Sequence, residues 1–158
     1  MFEKLTNRMD KVVKLSQQIA REYDQDYVGT EHLLLAILRD GTGVGAAILK
    51  DLGINLGNAK TAIDKLIKKS AEDTWVFGRL PGTPHFRNVM SVAIEEARQL
   101  ESKVVCTEHL LVALAREDGS VAQAALQELG ARAPMIRAEI TKRLDQSPED
   151  VSSSDAAD

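Results

Sequence analysis

Apolar residues recur at steps of three and four along almost the whole chain, the spacing of amphipathic helices rather than strands. In the first segment Leu5, Met9, Val12, Val13, Ile19, Ala20 and Tyr23 form one stripe, with Ser16 filling a gap in it. A later segment repeats the pattern with Phe86, Val89, Met90, Ala93, Ala97 and Leu100. Each opens at a threonine suited to N-capping, Thr6 and Thr83. Pro84 then fits the first helical position, where a missing N–H costs nothing. Second helices are predicted from Thr30 to about Leu38 and from Thr107 to about Ala115, with the two threonines as their caps. Short polar turns follow, Asp40-Gly41-Thr42-Gly43 and Glu117-Asp118-Gly119-Ser120. Third helices end at Leu52-Gly53 and Leu129-Gly130, where glycine supplies a left-handed stop. Fourth helices carry Ala59, Ile63, Leu66 and Ile67 and, from near Pro134, Ile136, Ile140 and Leu144. The expectation is an all-α fold of eight helices with no convincing strand.

The two sets of four helices are copies. Thr30-Glu31-His32-Leu33-Leu34 returns as Thr107-Glu108-His109-Leu110-Leu111, 77 residues later. At the same offset Val12 meets Val89, Ala20-Arg21 meets Ala97-Arg98, Val28 meets Val105, Val44 meets Val121, and Ile63 meets Ile140. One offset without a gap means a duplicated unit, each copy burying its apolar face against its neighbours. The expected boundaries are repeat one at about 1–69, a linker at 70–82, repeat two at 83–144 and an acidic, disordered tail at 145–158. Trp75, Val76 and Phe77 in the linker are expected to cover the seam between repeats, with a peptide groove as the alternative.

Composition narrows the function classes. The apolar share of 44% supports a core, while the aromatic share of 4% leaves most packing to Leu, Ile, Val and Ala. Net charge is −4, and Asp145, Glu149, Asp150, Asp155 and Asp158 of the tail leave residues 1–144 at +1. That balance gives no support for nucleic-acid binding through phosphates. Cys106 is the one cysteine, so no intrachain disulfide forms. No run approaches the roughly 18 apolar residues of a membrane span, and no signal pattern opens the chain, so a cytoplasmic protein is expected.

Candidate chemistry is sparse. Gly41-Thr42-Gly43-Val44-Gly45 lacks the lysine of a phosphate-binding loop and follows no strand, and reads as a flexible turn. Cys106, His109 and His32 could be imagined as a zinc site or a nucleophile pair, but without metal spacing. His32 and His109 read better as structural residues bonding neighbouring backbone. Glu31 and Glu108 have two readings. Either complements a helix dipole, or each faces outward to pair with a guanidinium. The helix starts at Thr6-Asn7-Arg8 and Thr83-Pro84-His85 are candidate anion sites.

Taken together, Phe2-Glu3-Lys4-Leu5-Thr6-Asn7-Arg8, the Gly29-Thr30-Glu31-His32-Leu33-Leu34 string, the Leu52-Gly53 stop and the Thr83-Pro84 second start resemble the Clp N-terminal domain. This is the double Clp-repeat module of the ClpA and ClpC class of AAA+ unfoldases, and the resemblance covers about residues 1–144. It implies a compact module with pseudo-twofold symmetry that is not an enzyme and needs no cofactor. It also implies partners: protein substrates, adaptor proteins or a Clp unfoldase ring, with the module itself monomeric. The alternative is a regulator or decoy that docks on the ring without holding substrate. Relatives of the ClpC type recognise phosphoarginine, one pocket per repeat. By position Glu31 would hold the guanidinium of the first pocket, with Thr6 and Arg8 near the phosphate. Glu108 and Thr83 would do the same in the second, where His85 stands in place of the expected arginine. No ATPase module follows, and a stand-alone protein is expected over an excised domain.

Overall fold

A computed structural model describes residues 4–69 and 82–146, with side chains described for 5–67 and 82–143. Trp75, Val76, Phe77 and nearly all of the acidic tail lie outside the described residues. Within them are eight α-helices in chain order: α1 (Asn7–Glu22), α2 (Thr30–Asp40), α3 (Gly43–Asp51), α4 (Leu56–Lys69), α5 (Pro84–Gln99), α6 (Thr107–Arg116), α7 (Val121–Glu128) and α8 (Ala133–Gln146). The all-α expectation holds, and α8 runs two residues past the expected boundary at 144. Among the described residues, no single helix is long and apolar enough to cross a membrane.

Local chemistry accounts for the helix ends. Thr6 and Thr83 are the N-caps of α1 and α5, their hydroxyls accepting from the N–H of Met9 (3.1 Å) and Phe86 (3.0 Å). Gly53 and Gly130 take φ of +80° and +87° at the stops after α3 and α7, a region that costs an L side chain energy and glycine nothing. The stripe read from the sequence is the buried one: Met9, Val12, Ser16, Ile19 and Ala20 line the inner face of α1. Ser16 satisfies its hydroxyl on the Val13 carbonyl at 2.6 Å, which makes its burial affordable.

Among the described residues, strand is almost absent beside the helices, as expected. Two short extended segments, β1 (Lys4–Leu5) and β2 (Val104–Val105), pair in parallel with Leu5 opposite Val105. An isolated parallel bridge joins Val28 to Gly82. Two residues are too few to print a period on the sequence. The 77-residue offset relates the two pairings, Leu5 to Gly82 and Val28 to Val105. In each, the segment entering the first helix of one repeat pairs with the segment entering the second helix of the other. Thr6 N–H donates to Val105 O (3.2 Å) and Thr83 N–H to Val28 O (3.0 Å). Reciprocal contacts of this kind are what a twofold axis produces.

Helix packing follows the same exchange. Within repeats α1 lies on α2 and α5 on α6; between repeats α3 packs on α6, α4 on α7 and α2 on α7. The result is one core, in which Leu33, Leu34, Ile37, Ile48 and Leu49 of repeat one meet Leu110, Leu111, Leu114 and Leu126 of repeat two. Gly45 is part of this seam and not of a flexible turn, as the sequence suggested. It sits inside α3, and a Cβ there would come 2.9 Å from the Thr107 carbonyl oxygen. The glycine permits close approach of α3 to the start of α6.

Candidate functional site

The repeated string places four side chains at each helix start, with a different task for each. Thr30 and Thr107 do not cap their own helices. Gly29 and Cys106 hold the cap positions of α2 and α6, so the threonines stand one residue further in. Their hydroxyls cross the seam instead. Thr107 Oγ1 accepts from Gly45 N–H at 3.0 Å, and Thr30 Oγ1 accepts from Ala122 N–H at 3.2 Å. Each thus satisfies an otherwise unpaired first-turn amide of the other repeat's third helix.

His32 and His109 are structural, as expected. Nδ1 of His32 accepts from Gly29 N–H and Nδ1 of His109 from Cys106 N–H, both at 2.9 Å. Burial pushes both imidazoles down to about 4, the nearby Glu96 opposing this weakly for His109. Both rings are therefore neutral at pH 7, with the proton on Nε2. The two repeats then cover these rings differently. His32 lies between Tyr23 and Tyr27, ring centroids 5.9 and 6.0 Å away. Repeat two places Glu96 in the position of Ile19. Its carboxylate, 2% exposed, receives Arg116 (2.7 Å) and Arg137 (2.6 Å). Burial raises the Glu96 pKa, but the two guanidinium bonds outweigh it and leave it below the ordinary value. Sequence reasoning missed this group. The signal was an acid on the apolar stripe of α5.

Glu31 and Glu108 do not face outward. They are 3% and 2% exposed. The Glu31 carboxylate folds back over the cap residue, so that a Cβ on Gly29 would collide with its Oε1. Repeat two has Cys106 at that position, so Glu108 cannot rest in the same way. Burial pushes Glu31 up, offset in part by its own backbone N–H and by His85.

His85 belongs to the other repeat, and its influence on Glu31 reveals how the candidate residues are grouped. The Val28–Gly82 bridge sets Glu31 beside Thr83 and His85. By the same offset, the Leu5–Val105 pairing and the bond from Thr6 N–H to Val105 O bring the segment leading to Glu108 alongside the helix start that carries Thr6 and Arg8. The sequence paired each glutamate with the helix start of its own repeat, and the structure exchanges them, because each entering segment pairs across the seam. Each composite site also carries an acid from the end of its second helix. Arg8 Nε donates to Thr42 Oγ1 at 2.8 Å and lies 3.9 Å from Asp40, to which Thr42 in turn donates at 2.6 Å. At the equivalent place His85 Nδ1 meets Glu117 Oε2 at 2.6 Å, and Asn88 donates to the same oxygen at 3.2 Å.

The family model of the Clp repeat N-terminal domain matches residues 4–129, and again 81–157. The chain belongs to the Clp repeat N-terminal domain family. The second match overlaps the first and spans residues 81–157. Among curated relatives, a chloroplastic ClpA homologue of the ATP-dependent Clp protease ATP-binding subunit from Solanum lycopersicum is 38% identical over 154 residues, covering 98% of this chain and 16% of its own. Chaperone protein ClpC1 of Oryza sativa is 38% identical over 151 residues, with 96% and 16% coverage. The chain thus spans about a sixth of the length of these relatives. Among solved structures, the N-terminal domain of ClpD from Arabidopsis thaliana superposes with a TM-score of 0.71 at 26% identity, covering 92% of this chain and 97% of that one. The Hsp104 N-terminal domain of Candida albicans shares the fold, with a TM-score of 0.72 at 14% identity over 94% and 95% of the two chains.

Proposed function

We propose that this Clp repeat domain is a protein-binding module of a Clp unfoldase system, receiving substrates or adaptors at two composite sites that fit a phosphorylated arginine side chain. In this reading Glu31 and Glu108 take the guanidinium. The phosphoryl group lies at the helix starts that Thr83 and Thr6 cap, with His85 and Arg8 as cations. Helix N-termini favour anions, and a carboxylate favours the planar guanidinium fork.

The observation that carries this reading is the burial of Glu31. Glu31 is held at 3% exposure beside the His85 imidazole of the other repeat, in surroundings that penalise its ionised form. Such a group weakens the fold, and an arriving guanidinium supplies the positive charge it lacks. Glu31→Gln should therefore leave the fold at least as stable at pH 7 while weakening binding.

A phosphoarginine peptide and its unmodified counterpart, titrated with amide shifts followed by NMR, test the proposal. Expected are shifts at Thr6–Met9 and Thr83–Arg87 with the modified peptide alone. Glu31→Gln should weaken binding at the Thr83 site by about tenfold or more, the scale of one charge-assisted pair, and spare the Thr6 site. Glu108→Gln should do the reverse. Equal affinity for the unmodified peptide, or indifference to both substitutions, would discard the phosphoarginine reading.

A further inference from the structure

Both repeats tie the start of their first helix to the end of their second, with different chemistry. In repeat one the tie is Arg8 to Thr42 and Asp40, and a guanidinium keeps its charge at every pH at which the protein is folded. In repeat two the tie is His85 to Glu117, and a histidine gains or loses its charge between about pH 5 and 8.

The groups around His85 make that difference count. From the end of α6, Glu117 presents its carboxylate at 2.6 Å. From α2, Glu31 lies near enough to feel the imidazole. On α5 itself Asn88 shares the Glu117 oxygen. The turn after α6 offers the backbone of Gly119, where a Cβ would lie 3.9 Å from the ring. With His85 neutral, these groups amount to two acids and no cation, a poor host for an anion. With His85 protonated, one positive charge stands at the helix start, 45% of the side chain remaining exposed to a ligand. His32 and His109, pushed down to about 4 by burial, stay neutral between pH 5 and 8.

We infer that His85 and Glu117 form a proton-operated latch, so that the Thr83–His85–Glu31 site accepts an anionic group only when His85 is protonated, while the Thr6–Arg8–Glu108 site accepts it throughout. The inference rests on the reading of the two sites given above and concerns their regulation. The protein would engage a doubly marked partner at mildly acidic pH and a singly marked one at alkaline pH.

The same phosphoarginine peptide, titrated at pH 6 and pH 8 with each site followed by its own amides, tests this. Affinity at the Thr83 site should fall by at least about tenfold from pH 6 to pH 8, because a ligand that needs one protonation state binds in proportion to its population. Affinity at the Thr6 site should change little. His85→Arg should abolish the fall, and His85→Gln should leave the Thr83 site weak at both pH values. Titration of Glu31 would act in the opposite sense, strengthening guanidinium binding as pH rises. The latch is overturned if the Thr83 site is insensitive to pH, if both sites weaken in parallel, or if the fall persists in His85→Arg. Absence of binding at both sites and both pH values would overturn the latch together with the ligand reading. Binding at the Thr6 site without pH response at the Thr83 site would remove the latch alone.

Discussion

At the third position of α2 and α6 a histidine fills the place where a capping box usually has Glu or Gln. The substitution works only while the ring is neutral, since Nδ1 must accept from the N–H of Gly29 or Cys106. Both rings have folded values of about 4, against about 6.5 for a free histidine. A depressed value means that the unfolded chain binds the proton more readily. The stabilisation is therefore fully present above about pH 6.5 and lost as pH falls toward 4, on the order of 3 kcal/mol for each ring. Glu96, also depressed, acts in the same sense at lower pH, and Glu31, raised by burial, acts against it. The paired substitution His32→Gln and His109→Gln keeps an acceptor and removes the titration. Urea unfolding at pH 7 and pH 4.5 should then show a markedly smaller loss of stability than in the parent. An equal loss would show that the histidines are not its source. The structural role of these rings was legible in the sequence, because they stand beside helix starts without metal spacing. The inward turn of Glu31 was not, because its position over Gly29 depends on a three-dimensional backbone path.

Between elements, the most consequential bonds are those the sequence misassigned. A threonine ahead of an apolar run reads as a cap, and Thr6 and Thr83 are caps. Thr30 and Thr107 carry the same local signal, yet sit one residue inside their helices and serve the partner repeat. Nothing local separates the two cases; the difference lies in what packs against the hydroxyl. Thr107→Val tests the second role. It keeps shape and burial but leaves the Gly45 N–H without its acceptor in the seam between α3 and α6. Leaving such a buried donor unsatisfied costs about 1–3 kcal/mol. A chemical-denaturation midpoint shifted by that amount with an unchanged slope is the expected result. A loss below about 0.5 kcal/mol, the level of an ordinary surface substitution, would mean that the bond contributes little. The duplication did contain a clue to Gly45, since the partner residue is Ala122: the same place tolerates a methyl in one repeat, where the bond to threonine is 3.2 Å, against 3.0 Å for the glycine.

For the whole molecule, a fixed offset shows that two units exist and is silent on how they interlock. Eight helices, their order and most of the buried stripe follow from periodicity and stop signals. The grouping of Glu31 with His85 follows from two short pairings between segments far apart in the chain, and those carry no period to read. The interlocking predicts how the halves behave when separated. Repeat one alone would expose Leu33, Leu34, Ile48 and Leu49, lose the α3–α6 and α4–α7 contacts, and release the Gly45 amide. Repeat two alone would lose the matching acceptor for Ala122 and the bridge from Thr83 to Val28. Units of this length bury only about 60% of the surface their unfolded chains expose, which leaves little stability to lose. Residues 1–76 and 77–158 made as separate chains should each lack a cooperative thermal transition and dispersed amide spectra. Mixed, they should recover both, with one-to-one stoichiometry, because every orphaned group finds its partner on the other half. A single half that melts cooperatively would show that the repeats are independent domains, and the two ligand sites would then have to be rebuilt from residues within one repeat.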